Sequence, residues 1–293
     1  MLFAAFCIAV AGACSKVLSK GMSPMQVVFL RNIFGVLYVL TLIYRKPLVN
    51  KGGRRGLLFF RGFLGGLAIL ASLYTIIEIG LAEAITYQQS HPIFLTLISV
   101  YFLKIPISRR AWWAVVIGFL GICLIFSPNL HIGSGSVTSH GIGVANSIIA
   151  ALAYLSISEL SKFYENRTIV LVFMSTGVLM PALFILAGYV FNLTTPSFLF
   201  ARPVMPVGND WFFIAALGLS ALLGQIHITK AFSLGKASEV SAIGYSQIVF
   251  SIFLGMLIGD ALPSHTSFLG IFLIIFCGIM IAFNKKKGDL LRG

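Results

Sequence analysis

Polar side chains that could bind a small molecule lie inside apolar stretches of this chain. His91 is roughly 14 Å from the nearer end of its stretch if the segment is helical, close to the centre of a hydrocarbon layer about 30 Å thick. The next residue, Pro92, has no N–H and therefore leaves one helical carbonyl without its donor. Gln247 reaches a similar depth and aligns beside His91-Pro92 when the sequence is shifted by 155 residues. We predict a ligand site at this depth; the alternative is a kinked helix whose histidine bonds between helices.

Three apolar stretches also carry polar or small residues at helical spacing, which places them on one face of each helix. Such faces suggest a shared wet interior, although Ser, Asn, Gln and His also bond between helices in a dry bundle. The faces comprise Glu83, Tyr87, Ser90 and Phe94; Asn146, Ala150, Tyr154 and Ser158; and Ser220, Gly224, His227 and Ala231. The predicted substrate contacts are His91, Gln247, Tyr87, Gln88, Tyr154, Tyr245, His227 and Ser220.

Charged residues near one end of the apolar stretches suggest a gate. Glu78 and Glu83 could form ion pairs with Lys16 or Arg31 and close one side of a central cavity. The alternative is that these long side chains reach the membrane interface and act as anchors.

Other kinds of chemistry find little support. The sequence has no HExxH or GxSxG motif, so an enzyme is not expected. The four cysteines fall inside apolar stretches, without Cys/His spacing, so we predict neither a metal nor a cofactor. The net charge is +13, and most of the Lys and Arg residues lie between apolar stretches or at the C-terminus. This distribution is typical of membrane orientation and argues against nucleic-acid binding.

The elements that carry these residues are long and apolar. The chain is 58% hydrophobic and 10% charged, with a mean hydropathy of +0.99, whereas a soluble domain is about a quarter charged. A spanning helix needs about 20 mostly apolar residues. Ten spans are predicted, at 2–19, 25–44, 57–79, 82–103, 111–127, 141–161, 168–190, 211–232, 237–258 and 266–284.

Lys and Arg are concentrated in alternate loops, which predicts that these loops face the cytoplasm. Both termini should then be cytoplasmic, and we expect a multi-pass protein of a bacterial inner membrane. The even-numbered loops and the tail hold Arg45, Lys46, Lys51, Arg54, Arg55, Lys104, Arg109, Arg110, Lys162, Arg167, Lys236, Lys285, Lys286, Lys287 and Arg292, whereas the odd-numbered loops hold Lys20 and Arg202.

Ten spans divide into two units of five, at residues 1–127 and 141–285. An odd-numbered unit that repeats must enter the membrane from the opposite side the second time, which gives an inverted repeat. The 155-residue shift aligns Gly80 with Gly235 and Ile93 with Ile248. We therefore predict an all-α integral membrane protein with ten transmembrane helices in two inverted five-helix repeats.

Several segments resemble the EamA domain of the drug/metabolite transporter superfamily. They are Ser15-Lys16 through Ser23-Pro24 to Phe29-Leu30-Arg31, the stretch from Arg61 to Tyr74, Gly80-Leu81-Ala82-Glu83-Ala84, His91-Pro92-Ile93-Phe94, and Gly118-Phe119-Leu120-Gly121. The resemblance implies two inverted EamA repeats around a central cavity. One departure is the turn Leu103-Lys104-Ile105-Pro106, where the family often has an acid.

These observations together predict a secondary transporter that moves a small polar or amphipathic metabolite by alternating access, with export as the preferred direction. A basic lining formed by His91, His227, Lys230 and Arg31 would instead favour an organic anion or a phosphorylated metabolite. A lipid flippase is a third reading, distinguished by a groove that opens sideways. The expected partners are the small-molecule substrate and the lipid bilayer, and a homodimer is compatible with the prediction.

Overall fold

The computed structural model describes residues 1–50, 52–101, 108–126, 134–235 and 237–282. These residues form α-helices joined by short connections. The helices are α1 (Leu2–Leu18), α2 (Pro24–Arg45), α3 (Arg55–Ile79), α4 (Leu81–Gln89), α5 (His91–Tyr101), α6 (Arg109–Phe126), α7 (Ser134–Leu160), α8 (Asn166–Val190), α9 (Ser197–Phe200), α10 (Asp210–Leu234), α11 (Ala237–Gly244), α12 (Ser246–Leu257) and α13 (His265–Ala282). The predicted all-helical fold is confirmed for the described part of the chain.

Within the described residues, five helical segments are long and apolar enough to cross a membrane by themselves. They are α2, α3, residues 137–160 of α7, α8 and α10, and shorter apolar helices accompany them. Large apolar side chains face outward, for example Phe59, Leu183 and Phe272, each more than half exposed. An outer surface of this kind needs lipid around it, because a soluble protein rarely exposes so much contiguous apolar area.

Two of the predicted spans are interrupted near their middle. The fourth is split into α4 and α5 at Ser90, and the ninth is split into α11 and α12 at Tyr245. Pro92 accounts for the first interruption, since it cannot donate to the carbonyl four residues earlier. The second contains no proline, and the sequence did not predict it. Ser90 and Tyr245 are related by the same 155-residue shift that aligns the two halves.

Local donors replace the hydrogen bonds lost at the first interruption. The His91 ring nitrogen Nδ1 lies 3.1 Å from the Gln88 carbonyl, the group that Pro92 leaves free. The hydroxyl of Ser90 donates to the Tyr87 carbonyl over 2.6 Å, and Ser147 of α7 donates to the same oxygen. Backbone groups inside a membrane must be bonded within the protein. This interruption is thus bonded internally rather than opened to a ligand.

The helices pack in related pairs. The α1–α10 contact has a counterpart in α7–α3, the α3–α8 contact in α10–α2, and the α1–α12 contact in the contacts of α7 with α4 and α5. The α2–α8 and α6–α13 pairs connect helices that would be equivalent in the predicted two-repeat arrangement. The two interrupted spans also meet, because His91 Nε2 lies 3.2 Å from the Ser241 hydroxyl of α11.

Parts of the sequence prediction fall at or beyond the limits of the described residues. They include the domain boundaries at 127 and 285, the turn Leu103-Lys104-Ile105-Pro106, and the basic residues Lys51, Lys236, Lys285, Lys286, Lys287 and Arg292. The loop after the seventh predicted span contains the single helical turn α9. Helix α7 begins at Ser134, seven residues before its predicted start at 141.

Helices α6 and α13 approach each other closely at two glycines. A Cβ added at Gly121 would lie 2.8 Å from the Gly270 carbonyl oxygen, and one added at Gly270 would lie 2.6 Å from the Gly121 oxygen. Both contacts are to backbone, which cannot rotate away as a side chain can. Small residues at these positions therefore set the distance between the two helices.

We predict that Gly270→Ala destabilises the protein. Overpacking of this kind costs about 1–3 kcal/mol, partly offset by about 1 kcal/mol of higher helix propensity. Thermal unfolding in detergent should occur several degrees lower. The matched control is Gly141→Ala in α7, because a Cβ there meets nothing within 4 Å. Equal unfolding temperatures for the two variants would contradict the close approach of α6 and α13.

Candidate functional site

A central cavity lies among seven helices that come from both halves of the chain. Its volume is about 70 Å³, room for several water molecules. Helices α1 to α4 contribute one part of the wall, and α7, α8 and α10 contribute the rest. The lining residues are Ile8, Gly12, Ser15, Arg31, Arg61, Gly65, Ala68, Ile69, Ser72, Leu73, Ile76, Ile85, Gln88, Ala150, Ala153, Tyr154, Phe173 and Gln225.

Arg61 of α3 is the most deeply buried charge at this cavity. The residue is 2% exposed, and its Nε and Nη1 atoms have no hydrogen-bond partner. The guanidinium carbon lies 4.8 Å from the centre of the Phe173 ring, over its face. That distance is within the range of a cation–π interaction, which holds the guanidinium in place without using its N–H donors.

Gly65, one turn after Arg61 on α3, leaves the space that this guanidinium occupies. A Cβ at position 65 would lie 2.5 Å from Nη1 of Arg61 and would also clash with the Phe173 ring. A glycine is therefore required here by the side chain of Arg61 rather than by the backbone angles.

Arg31 of α2 lines the same cavity. The sequence suggested two roles for it, one in a basic lining and one in a gate. The side chain is partly exposed, and its Nε atom is enclosed without a partner. Tyr154 lines the cavity together with Arg31 and Arg61. The cavity thus presents two guanidinium groups and a phenol to whatever occupies it.

Tyr154 belongs to an aromatic group at the wall of the cavity. Its ring stacks on Phe232 at 4.6 Å with an interplanar angle of 7°, and the His91 ring lies 4.8 Å away at 60°. Offset stacking of this kind contributes about 0.5–1.5 kcal/mol beyond the burial of surface. The group fixes the orientation of Tyr154.

His91 lies behind Tyr154 and does not line the cavity. A carbonyl can only accept, so Nδ1 carries the proton toward Gln88 while Nε2 accepts from Ser241 in the neutral ring. Both nitrogens are thereby bonded within the protein. This geometry corresponds to the alternative drawn from the sequence, a histidine bonded between helices, and direct contact with substrate stays a prediction.

The other predicted contacts divide into two groups. Gln88 and Tyr154 line the cavity, and Gln225, which the sequence analysis overlooked, lines it as well. The Tyr87 hydroxyl is hydrogen-bonded to His140 Nδ1 over 2.8 Å, away from the cavity wall. Ser220 bonds to the Leu217 carbonyl of its own helix.

Three further predicted residues lie apart from the cavity. His227 is exposed on α10, with its ring 5.0 Å from Phe3 and Nδ1 bonded to the Leu223 carbonyl. Tyr245 and Gln247 are buried near the second interruption, and the Tyr245 hydroxyl and Gln247 Nε2 have no partner. Unpartnered buried donors of this kind are uncommon. A binding role for these two residues stays a prediction.

A separate charged cluster surrounds a cleft of about 240 Å³ at one end of the bundle. Lys16 pairs with Asp260 over 2.6 Å, and the other oxygen of Asp260 accepts from the Leu81 N–H at 3.0 Å. Glu83 lies near this pair, and Glu78 is on the exposed rim of the cleft. Three of the four predicted gate residues therefore come together, and Asp260 replaces Arg31 as the charge that joins them.

The opposite end of the bundle is closed by a polar network between the loops after α2 and α7. Glu165 accepts from the Val49 N–H over 2.8 Å and from Arg167, and its own N–H donates to Asn50 over 2.9 Å. Tyr164 donates to the Gly53 carbonyl over 2.6 Å. The Val49 N–H and the Arg167 guanidinium lower the pKa of the Glu165 carboxyl below its ordinary range.

The sequence is similar to those of several proteins named as transporters. An uncharacterized transporter of Helicobacter pylori is 32% identical over 294 residues, which cover 99% of this chain and 95% of the relative. The profile of the EamA-like transporter family matches residues 1–127. The chain belongs to the EamA-like transporter family. The resemblance to the drug/metabolite transporter superfamily is thereby confirmed.

Two further relatives of this EamA-like protein have more specific names. The pseudopaline exporter CntI of Pseudomonas aeruginosa is 27% identical over 285 residues, covering 97% of this chain and 95% of the relative. The S-adenosylmethionine uptake transporter of Rickettsia felis is 21% identical over 274 residues, covering 93% and 87%. Members of the family thus carry different cargoes in different directions.

A solved crystal structure shares the fold of this EamA-like protein. The two chains superpose with a TM-score of 0.63 at 16% identity, covering 94% of this chain and 95% of the other. Family and fold together establish an integral, multi-pass membrane transporter and not an enzyme.

Glu165 provides a test of the loop network through pH. Because its pKa is lowered in the folded protein, the carboxylate stabilises the fold above the unfolded value of about 4.3, and this contribution is lost as pH falls through the folded pKa. We expect Glu165→Gln to lower the unfolding temperature at pH 7 and to match the unmodified protein once both are acidified below that pKa. Thermal unfolding across pH 3 to 7 measures the difference.

The control for this test is Glu78→Gln, which removes an exposed carboxylate at the opposite end of the bundle. Its unfolding temperature at pH 7 should match that of the unmodified protein. A destabilisation by Glu165→Gln that is the same at acid and neutral pH would show that the carboxylate charge is not responsible.

Proposed function

We propose that this protein is a secondary transporter that moves a small polar or amphipathic metabolite by alternating access, with export from a bacterial cytoplasm as the working direction. The observation that carries the proposal is the central cavity, which is lined by both halves and lies between charged closures at its two ends. A site of this kind, placed between two repeats, suits a transporter that opens to one side at a time.

We further propose ten spans in two inverted repeats, residues 1–127 and 141–285. The interruptions at Ser90 and Tyr245 occur at equivalent positions, and the main helix contacts keep their pattern when the halves are exchanged. Helix α1 has 17 residues, or roughly 26 Å, so the shorter helices come near the thickness of a bilayer. Joined across their interruptions, α4 with α5 and α11 with α12 each reach a full span.

The Lys16–Asp260 pair is proposed as the outer closure, and the Glu165 network as the inner one. Asp260 belongs to the loop after the ninth predicted span, and Lys16 and Leu81 come from the other half. The pair therefore joins the two halves at one end of the bundle. Breaking it would let the halves separate there while the Glu165 network holds the other end.

The ring of seven helices around the cavity favours a metabolite over a lipid as cargo, because lipid transport needs a groove that opens to the acyl chains. Export is favoured by the exporter CntI, which is more similar to this chain and covers more of it than the uptake transporter of Rickettsia felis does.

The first test concerns the proposed orientation. Green fluorescent protein fused after residue 293 should fluoresce, because it folds in the cytoplasm, and alkaline phosphatase fused there should be inactive. Fusions after residue 262, which omit the last span, should give the reverse result. Active phosphatase at the full-length C-terminus would overturn the ten-span topology.

The second test concerns alternating access. Ser72 lines the cavity and is roughly 10 Å from the proposed outer end of α3, so Ser72→Cys reports access from outside. Adding Asp260→Asn keeps an oxygen for the Leu81 N–H and removes the charge that holds Lys16. In intact cells, we expect a membrane-impermeant maleimide to label the cysteine at position 72 faster when Asp260→Asn is present than when Ser72→Cys stands alone.

Two controls belong to this experiment. Asp210→Asn removes another acid, one bonded to the Val207 N–H, and should leave the labelling rate unchanged. The parent without Ser72→Cys gives the background from the native cysteines. An unchanged rate in Asp260→Asn would remove the Lys16–Asp260 pair as the outer closure.

A further inference from the structure

We propose that Arg31 and Arg61 bind the anionic group of the substrate, and that the substrate is a small organic anion with a carboxylate or phosphate head and a partly apolar body. This inference rests on the proposed transport function and names the class of compound that the central site takes. Its basis is that both arginines line the cavity and that each has at least one enclosed guanidinium donor without a hydrogen-bond partner.

The acids whose side chains the structure describes are engaged or placed elsewhere. Asp260 and Glu83 belong to the cleft at one end, with Glu78 on its rim. Glu159 pairs with Arg54 and Glu165 with Arg167, both at the other end. Asp210 bonds to the Val207 N–H. None of these side-chain carboxylates therefore forms an ion pair with Arg31 or Arg61.

An arginine remains protonated even when it is buried, so both residues bring positive charge to the cavity. A buried charge without a counter-ion is strongly unfavourable, and ionisable residues inside a membrane usually mark a substrate pathway. Water in so small a cavity could solvate the two groups only in part. A bound anion would supply the missing charge and the missing acceptors together.

The geometry around Arg61 leaves its donors available. Phe173 holds the face of the guanidinium, whereas Nε and Nη1 remain without partners. Each of these nitrogens forms, together with Nη2, an edge by which an arginine can bind two oxygens of a carboxylate or phosphate. Gly65 leaves the room that the guanidinium occupies in this position.

The rest of the lining suits an organic body rather than an inorganic ion. The apolar part of the wall is formed by Ile8, Ile69, Leu73, Ile76 and Ile85. Gln88, Tyr154 and Gln225 add polar groups that could orient further substituents of the substrate. Most small-molecule sites combine an apolar wall with a few placed polar groups in this way.

The test is ligand-induced thermal stabilisation of the purified protein, at constant ionic strength set with sodium chloride. The probes are glutarate, its neutral isostere glutaramide, the diamine cadaverine, and propylphosphonate. A ligand raises the unfolding temperature when it binds the folded state only. We expect glutarate, propylphosphonate or both to stabilise the protein, whereas glutaramide and cadaverine have no effect. The two anions distinguish a carboxylate from a phosphate head.

The variants connect the effect to the two arginines. Arg61→Gln and Arg31→Gln should each weaken binding of the stabilising anion by at least about tenfold, the factor expected for one lost charge-assisted hydrogen bond. Arg61→Lys should bind the anion with an affinity between those of the unmodified protein and of Arg61→Gln, because it keeps the charge and loses the paired donors. Arg54→Gln is the matched control, since Arg54 pairs with Glu159 away from the cavity, and it should bind like the unmodified protein.

The unliganded variants provide a second measurement. If Arg61 serves the substrate rather than the fold, Arg61→Gln should unfold at the same temperature as the unmodified protein or a higher one. A large loss of stability would show that Arg61 serves the fold, and would count against the proposal.

Failure of this inference can be separated from failure of the proposed function. Stabilisation by glutaramide or cadaverine alone, or anion binding that survives both Arg→Gln variants, would overturn the anion site and leave transport intact. Anion binding that depends on both arginines, without exchange of that anion across proteoliposomes, would support the site and count against transport.

Discussion

The hydrogen bond that Pro92 removes determines the arrangement of the polar interior. Its loss leaves the Gln88 carbonyl without a helical donor in the middle of the bundle, where no solvent can replace it. The His91 ring supplies the donor, and its other nitrogen reaches Ser241 on the second interrupted span. His91 is thereby held against Tyr154, whose ring is fixed between His91 and Phe232 at the cavity wall. One missing N–H thus connects the interruption of a helix, the contact between the two halves and the position of a site residue.

Charge is distributed unevenly along the axis of the bundle. Carboxylates that form ion pairs lie toward the two ends, where Asp260 pairs with Lys16, Glu159 with Arg54 and Glu165 with Arg167. The centre holds Arg31 and Arg61 without such partners. This arrangement separates groups that hold the two halves together from groups that are free to bind. The separation is what a carrier requires, since a central arginine paired with a fixed carboxylate would have no capacity left for cargo.

The sequence predicted the helical class, the family and most helix limits, because apolar length and loop charge are strong signals in a membrane protein. The extended start of α7 and the interruption at Tyr245 were not predicted, since no proline or charge marks them. Depth alone could not show whether His91 and Gln247 line the cavity, because depth gives distance along the membrane normal and not the direction a side chain faces. Arg61 was overlooked although an arginine inside an apolar helix is a signal; its significance depends on Phe173 and Gly65, which only the packing of α3 against α8 brings together.

The two ends of the bundle differ in how they meet water. Lys16 and Asp260 are about 15% exposed, whereas the Arg167 and Glu165 side chains of the loop network are 22% and 29% exposed. Dissolved salt weakens charge pairs that face solvent far more than enclosed ones. The loop network is therefore the weaker of the two proposed closures at the ionic strength of a cell. The enclosed Lys16–Asp260 pair is the slower one to open. Under the proposed cycle, an empty carrier would rest facing the cytoplasm, ready to load from the side on which an exporter finds its cargo.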